Sequence, residues 1–264
     1  MERTDIIDLL LPWEEYIRRD YAIPYSYTIC KSNKLLSYIG VHHCTDYEHP
    51  QNVEIKHEWK HFIAKSPAQK CIAVVEGSVP PESNNEKTAI QAHGERGLLA
   101  FLARSQDISL RSFEPDDKEV LQSIASMYSK KIAFYSEAAR VIYQWHNIHS
   151  EQDFTTYLEQ YLQEDLAGLG WNDISPTLKQ VKEIHEQLFD SSFDKKDSNF
   201  FYSILHPSKD KSVINKVNRD KNKIRDSSVV QGIVSAWKAG NSIFVVYGSS
   251  HAVVQESAVR QILK

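Results

Sequence analysis

Two apolar runs at opposite ends of the chain leave through the same four-residue pattern. Leu35-Leu36-Ser37-Tyr38-Ile39 enters Gly40-Val41-His42-His43, and Ile243-Phe244-Val245-Val246-Tyr247 enters Gly248-Ser249-Ser250-His251. Short runs of this kind, rich in β-branched and aromatic residues and closed by glycine, read as buried strands. Two further runs end on an acid: Cys71-Ile72-Ala73-Val74-Val75 stops at Glu76, and the run from Ile108 to Phe113 stops at Glu114. In an open α/β sheet, ligands sit beyond the carboxyl ends of the strands. His43, His251, Glu76 and Glu114 are therefore expected around one crevice. Imidazoles and carboxylates gathered in this way are the donor set of a divalent-metal or acid–base site.

The bulk properties permit such an enzyme and exclude other classes. With 264 residues, 41% of them hydrophobic, the chain can bury a substantial core. A single domain over residues 1–264 is expected. The formal net charge of -4 gives no electrostatic reason for nucleic acid or an anionic membrane to be the main partner. No apolar stretch approaches the roughly 18 residues of a spanning helix. Leu9-Leu10-Leu11 is cut off at once by Pro12-Trp13-Glu14-Glu15, so the N-terminus lacks the order of a signal peptide and a cytoplasmic protein is expected. Cys30, Cys44 and Cys71 are odd in number and form no C-x-x-C, which suits thiols in a reducing compartment.

Local patterns place strands early, helices in the middle and a strand–helix unit last. Asp5 to Asp20 reads as an amphipathic helix, and two strands flanking Lys31-Ser32-Asn33 read as a hairpin. A helix over 50–65, a strand over 70–75, a helix over 89–104 and the run from Ile108 follow. Pro115-Asp116-Asp117 starts a long helical pattern that reaches His146. Two more helices lie between Glu151 and Phe189, parted by Gly168-Leu169-Gly170, and a charged loop occupies 190–197. A helix over 210–239 leads to the closing strand and a helix from Ala252 to Leu263. The fold class is thus α/β: a central mixed β-sheet flanked by helices, with a helical insertion or cap over 116–189 between the early strands and the last.

The order of these landmarks resembles a superfamily, that of the TraB, PrgY, GumN and Tiki proteins, linked to the ChaN and erythromycin-esterase proteins. The resemblance rests on Gly40-x-x-His43, Val75-Glu76-Gly77, Gly94-Glu95 on the following helix, and Phe113-Glu114-Pro115. Asn218-Arg219-Asp220, on a helix ending in Ala239-Gly240, and Gly248-x-x-His251 complete it. It spans Ile39 to Leu263, nearly the whole chain. The Tiki branch is described as metal-dependent peptidases using paired histidines and a Glu, and the esterase branch hydrolyses a macrolide ester. The resemblance therefore implies a hydrolase acting on an ester or peptide bond of a small-molecule or peptide substrate. His43, Glu76 and His251 would hold a divalent metal (Mn, Co or Zn) or an activated water. Glu95 or Glu114 would act as general base, and Arg219 would stabilise developing negative charge. Without a metal, His43 would be the base and Glu76 would orient it. A homo-oligomer is compatible with this reading.

Two alternatives compete. His57-Glu58-Trp59-Lys60-His61 is a literal H-E-x-x-H, the zincin motif. At about 100° per residue, however, Ile55, Trp59, Phe62 and Ile63 form the apolar face and both histidines fall almost opposite it. The other alternative is a pocket of the same fold that binds haem, a nucleotide or another small molecule without turnover. Cys44 beside His43 suggests a thiol nucleophile only if a turn brings their side chains together.

Overall fold

Ser32 and Asn33 both adopt positive φ, 51° and 64°, the turn geometry that matches the twist of a two-residue hairpin. They join strand β1 (Tyr25–Lys31) to strand β2 (Lys34–Val41) in antiparallel register, with Lys31 opposite Lys34. The computed structural model describes residues 6–66 and 70–264. Helix α1 covers only Trp13–Tyr16, because Pro12 ends the preceding turn and fixes the start of the new one. The single helix expected over Asp5–Asp20 is not formed, and residues 1–5 lie outside the described residues.

Helix α2 (Gln51–Lys65), strand β3 (Cys71–Val75), helix α3 (Glu86–Ser105) and strand β4 (Ser109–Arg111) follow in order. Next come helices α4 (Asp117–Met127), α5 (Lys130–Ile148), α6 (Phe154–Leu166), α7 (Leu178–Phe189) and α8 (Ser198–Leu205). Helix α9 (Val213–Lys238), strand β5 (Ser242–Gly248) and helix α10 (Ser249–Leu263) complete the chain. The sheet is mixed, in the order β1-β2-β5-β3-β4, and β2, β5, β3 and β4 run parallel. This is the α/β class expected. β3 and β5 are buried at every position because helices cover both faces of the sheet. Leu36, Tyr38, Ile72, Val74, Ile243 and Val245 pack toward α10 and the second part of α9. Their alternating neighbours Leu35, Ile39, Ala73, Phe244 and Val246 pack toward α2 and α3.

Where one domain with an insertion over 116–189 was expected, the chain divides into two compact units, 1–114 with 225–264, and 115–224. The helical part thus runs well past Phe189. Its core gathers Phe134, Ile142, Leu158, Leu162, Ile184 and Phe201. The long helix expected from Asp116 to His146 is broken at Ser129, whose extended backbone lets its hydroxyl accept from Ile132 N–H and cap α5. Asp197 caps α8 in the same way, a helix that the sequence pattern did not announce. Among the described residues no helix is long and apolar enough to cross a membrane.

Phe244 lies fully buried on the middle strand, its ring centroid 5.2 Å from that of Trp59 and 5.4 Å from that of Phe62. Phe244→Ala should cost about 3–5 kcal/mol, the cost of emptying a large core position. Val53→Ala, on an exposed site of α2, should stay within about 0.5 kcal/mol. Urea unfolding followed by circular dichroism checks both.

Candidate functional site

Because β5 lies between β2 and β3 and all three run parallel, their carboxyl ends fall side by side. His43 follows β2, Glu76 follows β3 directly, and His251 stands in the first turn of α10 after β5. The structure brings these three together. His43 Nε2 is 3.6 Å from Glu76 Oε2, and His251 Nε2 is 3.8 Å from Glu76 Oε1. Gly248 N–H donates to Glu76 Oε2 at 2.7 Å. A Cβ on Gly248 would sit 3.1 Å from that oxygen and 3.2 Å from His43 Nε2, so the first residue of this G-x-x-H makes room for the carboxylate.

Each imidazole is held from behind by a carboxylate. His43 Nδ1–H donates to Glu95 Oε1 at 2.7 Å, and His251 Nδ1–H donates to Asp226 Oδ1 at 2.7 Å. These bonds assign the proton to Nδ1 and turn both Nε2 atoms toward Glu76. Glu95 is only 2% exposed and also accepts from Cys44 N–H at 3.3 Å. It reaches that position because α3 is kinked at Gly94, where φ is 59° and ψ is -142°. An L side chain there would be strained, and its Cβ would meet Cys44 O at 2.8 Å. Asp226 Oδ1 accepts a second bond from Gln255 Nε2, and Gln255 Oε1 accepts from Tyr38 O–H, so the His251 pair is anchored to the sheet.

Glu114 ends up one step removed from the histidines. Its Oε2 accepts from Arg225 Nε and its Oε1 from Tyr247 O–H, at 2.7 and 2.8 Å. Arg219 belongs to the helical unit, where it bonds Asp210 Oδ1 and the carbonyls of Pro207 and Lys209. Sequence reasoning missed Asp226 and Arg225. A signal was present, since Arg225-Asp226 repeats the Arg219-Asp220 dipeptide on the same helix. Six positions turn a helix through roughly 240° beyond one full revolution, so the two pairs face different ways. Arg225, Arg96, His43, Glu76 and Glu95 line a cleft of about 470 Å³.

Three charges cooperate in this cleft. Contacts with Glu76 and Glu95, against the cost of burial, raise His43 from 6.5 to about 10. Burial disfavours the charge on His251, yet Asp226 and Glu76 raise it to about 9. Burial pushes Glu76 up, but the two imidazoles and Gly248 N–H outweigh it and hold the carboxyl at about 2.

The donor set suits a divalent cation. Ligands about 2.1 Å from a tetrahedral ion stand roughly 3.4 Å apart, close to the observed 3.6 and 3.8 Å separations. Exchanging two imidazolium protons for one divalent cation leaves the formal charge of the site unchanged. Among the described residues, however, no group of three His, Cys, Asp or Glu side chains is arranged to hold a metal ion, so binding requires these side chains to rearrange. The H-E-x-x-H pair lies elsewhere: His57 and His61 are exposed on α2, their ring centroids 4.4 Å apart, while Ile55, Trp59 and Phe62 face the core. Cys44 is a free thiol whose Sγ accepts from Asp46 N–H. No protein-family description, curated protein or solved structure matches this chain.

Two outcomes follow from this geometry. His251 is raised in the folded state, so its contribution to stability is complete below pH 6.5 and is lost as the pH rises through about 9. Glu76 is lowered, so its contribution is complete above pH 4.5 and is lost as the pH falls toward about 2. In the presence of a chelator, thermal stability should therefore peak between pH 4.5 and 6.5, and His251→Gln should flatten the alkaline limb by an amount on the order of 2 kcal/mol. Separately, replacing His57 and His61 together by alanine should leave the metal content of purified protein unchanged, as read by elemental analysis. Loss of bound metal in that double variant would move the site to α2.

Proposed function

We propose that this cleft is the active site of a hydrolase that cleaves an ester or peptide bond with the help of a divalent metal, Mn, Co or Zn. The observation that carries the reading is the pair of carboxylate-backed imidazoles whose Nε2 atoms both face Glu76. The resemblance to the TraB and Tiki superfamily points the same way. A divalent cation held by His43, His251 and Glu76 would polarise a carbonyl and make water more acidic.

The chain's own residues divide the remaining work. Glu95 and Asp226 keep each imidazole in the tautomer that leaves Nε2 available. Glu76, the carboxylate that faces both imidazoles across the cleft, would complete the ligand set with His43 and His251. Glu95 and Glu114 have both oxygens engaged in hydrogen bonds, so each positions a neighbour. Arg225, fixed by Glu114, stabilises negative charge on the substrate carbonyl, the part first assigned to Arg219. The substrate is a small molecule or peptide, the setting cytoplasmic.

Elemental analysis after purification, followed by an ester and peptide screen with added Mn, Co or Zn, tests the reading. Stoichiometric metal and turnover are expected. Glu76→Gln keeps the size of the side chain, and it should fold normally while losing about 10²-fold or more in kcat. If no metal binds and no ester or amide is cleaved, or if the variant keeps full activity, the proposal fails.

A further inference from the structure

Arg96 sits in the wall of the same cleft, on the turn of α3 that follows the Gly94 kink. Its guanidinium makes one long bond, from Nη1 to the Glu76 carbonyl oxygen at 3.4 Å. Among the described residues no carboxylate lies within ion-pair distance of it. The acids of the cleft are committed elsewhere: Glu76 to Gly248 and the imidazoles, Glu95 to His43 and Cys44, Glu114 to Arg225 and Tyr247, Asp226 to His251 and Gln255. Arg96 approaches Glu76 through its backbone carbonyl only, so it is not the counter-ion of that carboxylate.

The local backbone preserves room for this cation. Gly77, directly after Glu76, has φ 63°, and a Cβ there would come within 2.9 Å of Arg96 Nη1. A half-buried guanidinium has lost part of its hydration, and a fork of N–H donors without an acidic partner is suited to a planar or tetrahedral oxyanion.

We infer that the substrate of this cleft is an anion whose carboxylate or phosphate group seats on Arg96, beside the bond to be cleaved. The inference rests on the hydrolase reading for the bond, but the anion seat exists independently of turnover. Arg96 thereby becomes a specificity-determining residue. Neutral esters of the same size would enter the cleft without filling this position, and the guanidinium would remain unpaired against them.

The test uses the full chain and two kinds of measurement. Calorimetry with glutarate and with inorganic phosphate reads binding directly in the wild type, Arg96→Gln and Arg96→Lys. The kcat/KM ratio of 4-nitrophenyl hemisuccinate to 4-nitrophenyl butyrate reads discrimination. The wild type should bind at least one anion and prefer the charged ester. Arg96→Gln should weaken anion binding and lower the ratio by about 10- to 100-fold, the scale of hydrogen bonds to a charged group. Arg96→Lys should fall between them, since it keeps the charge without the fork, and it carries the comparison if Arg96→Gln does not fold. Stronger binding of glutarate marks a carboxylate substrate, and stronger binding of phosphate a phosphorylated one. Anion binding that depends on Arg96 in a protein that binds no metal and cleaves no ester or amide would overturn the hydrolase reading and keep this one. Equal anion binding by wild type and variants, no binding of either anion, or an unchanged ratio would overturn the anion seat.

Discussion

The hydrogen bond from Gly248 N–H to Glu76 is the contact on which the site depends. It ties the end of β3 to the exit of β5, and it gives a largely buried carboxylate one fixed partner before any histidine is considered. An ionised carboxyl at that depth is costly unless it is paired and hydrogen-bonded. With Oε2 pinned by the backbone, both oxygens of Glu76 are oriented toward the space where the two imidazoles end. A Cβ at position 248 would press on that carboxylate and on His43 at 3.1 and 3.2 Å, tighter than ordinary contact, so glycine at the close of the final strand leaves this pair undisturbed.

Around that carboxylate the charges alternate: Glu95, His43, Glu76, His251, Asp226. Each imidazole lies between two acids and each bond to Nδ1 is 2.7 Å, so the order of the row is fixed by hydrogen bonds as well as by attraction. The two ends of the row differ in exposure. The His43 side chain is 61% exposed while that of His251 is 17% exposed. Solvent reaches the His43 ring, whereas His251 is held through Asp226, Gln255 and Tyr38 into the core.

Much of this was legible in the amino-acid sequence, for identifiable reasons. Strand runs such as Ile243 to Tyr247 are apolar on both faces because the sheet is covered twice, and a chain residue that follows such a run must lie at the sheet's edge. That rule pointed to His43, Glu76 and His251, which the structure brings together, and equally to Glu114, which it places one step away on Arg225 and Tyr247. The hairpin was equally plain, since Ser32 and Asn33 can take the positive φ that the turn demands. Asp226 was hidden because it lies mid-helix within a charged stretch, where one acid looks like any other until the partner across the gap is known. The break at Ser129 was also hidden: a capping serine between two apolar stripes has the same composition as a solvated helical position, and its extended backbone is visible only in the fold. β4 is shorter than the apolar run from Ile108 to Phe113, because pairing with β3 lasts only from Ser109 to Arg111.

The placement of His251 poses an electrostatic conflict that the fold resolves through Asp226. In the first turn of α10 the imidazole stands at the positive end of the helix, where a proton on the ring is disfavoured by roughly 0.3–1 kcal/mol. Burial disfavours it further. A histidine placed there alone would be pushed toward the neutral ring and would have no preferred tautomer, so its Nε2 lone pair would not be assured. Asp226 reverses the balance and at the same time fixes the proton on Nδ1. Its carboxylate thus does two separable things: it draws positive charge onto the ring, and it aims Nε2 at Glu76. Asparagine at this position would keep an acceptor for the Nδ1 proton while removing the charge, so the ring would retain its aim and lose the pull. The two contributions are therefore carried by one side chain through different physics, charge in the first case and hydrogen-bond geometry in the second.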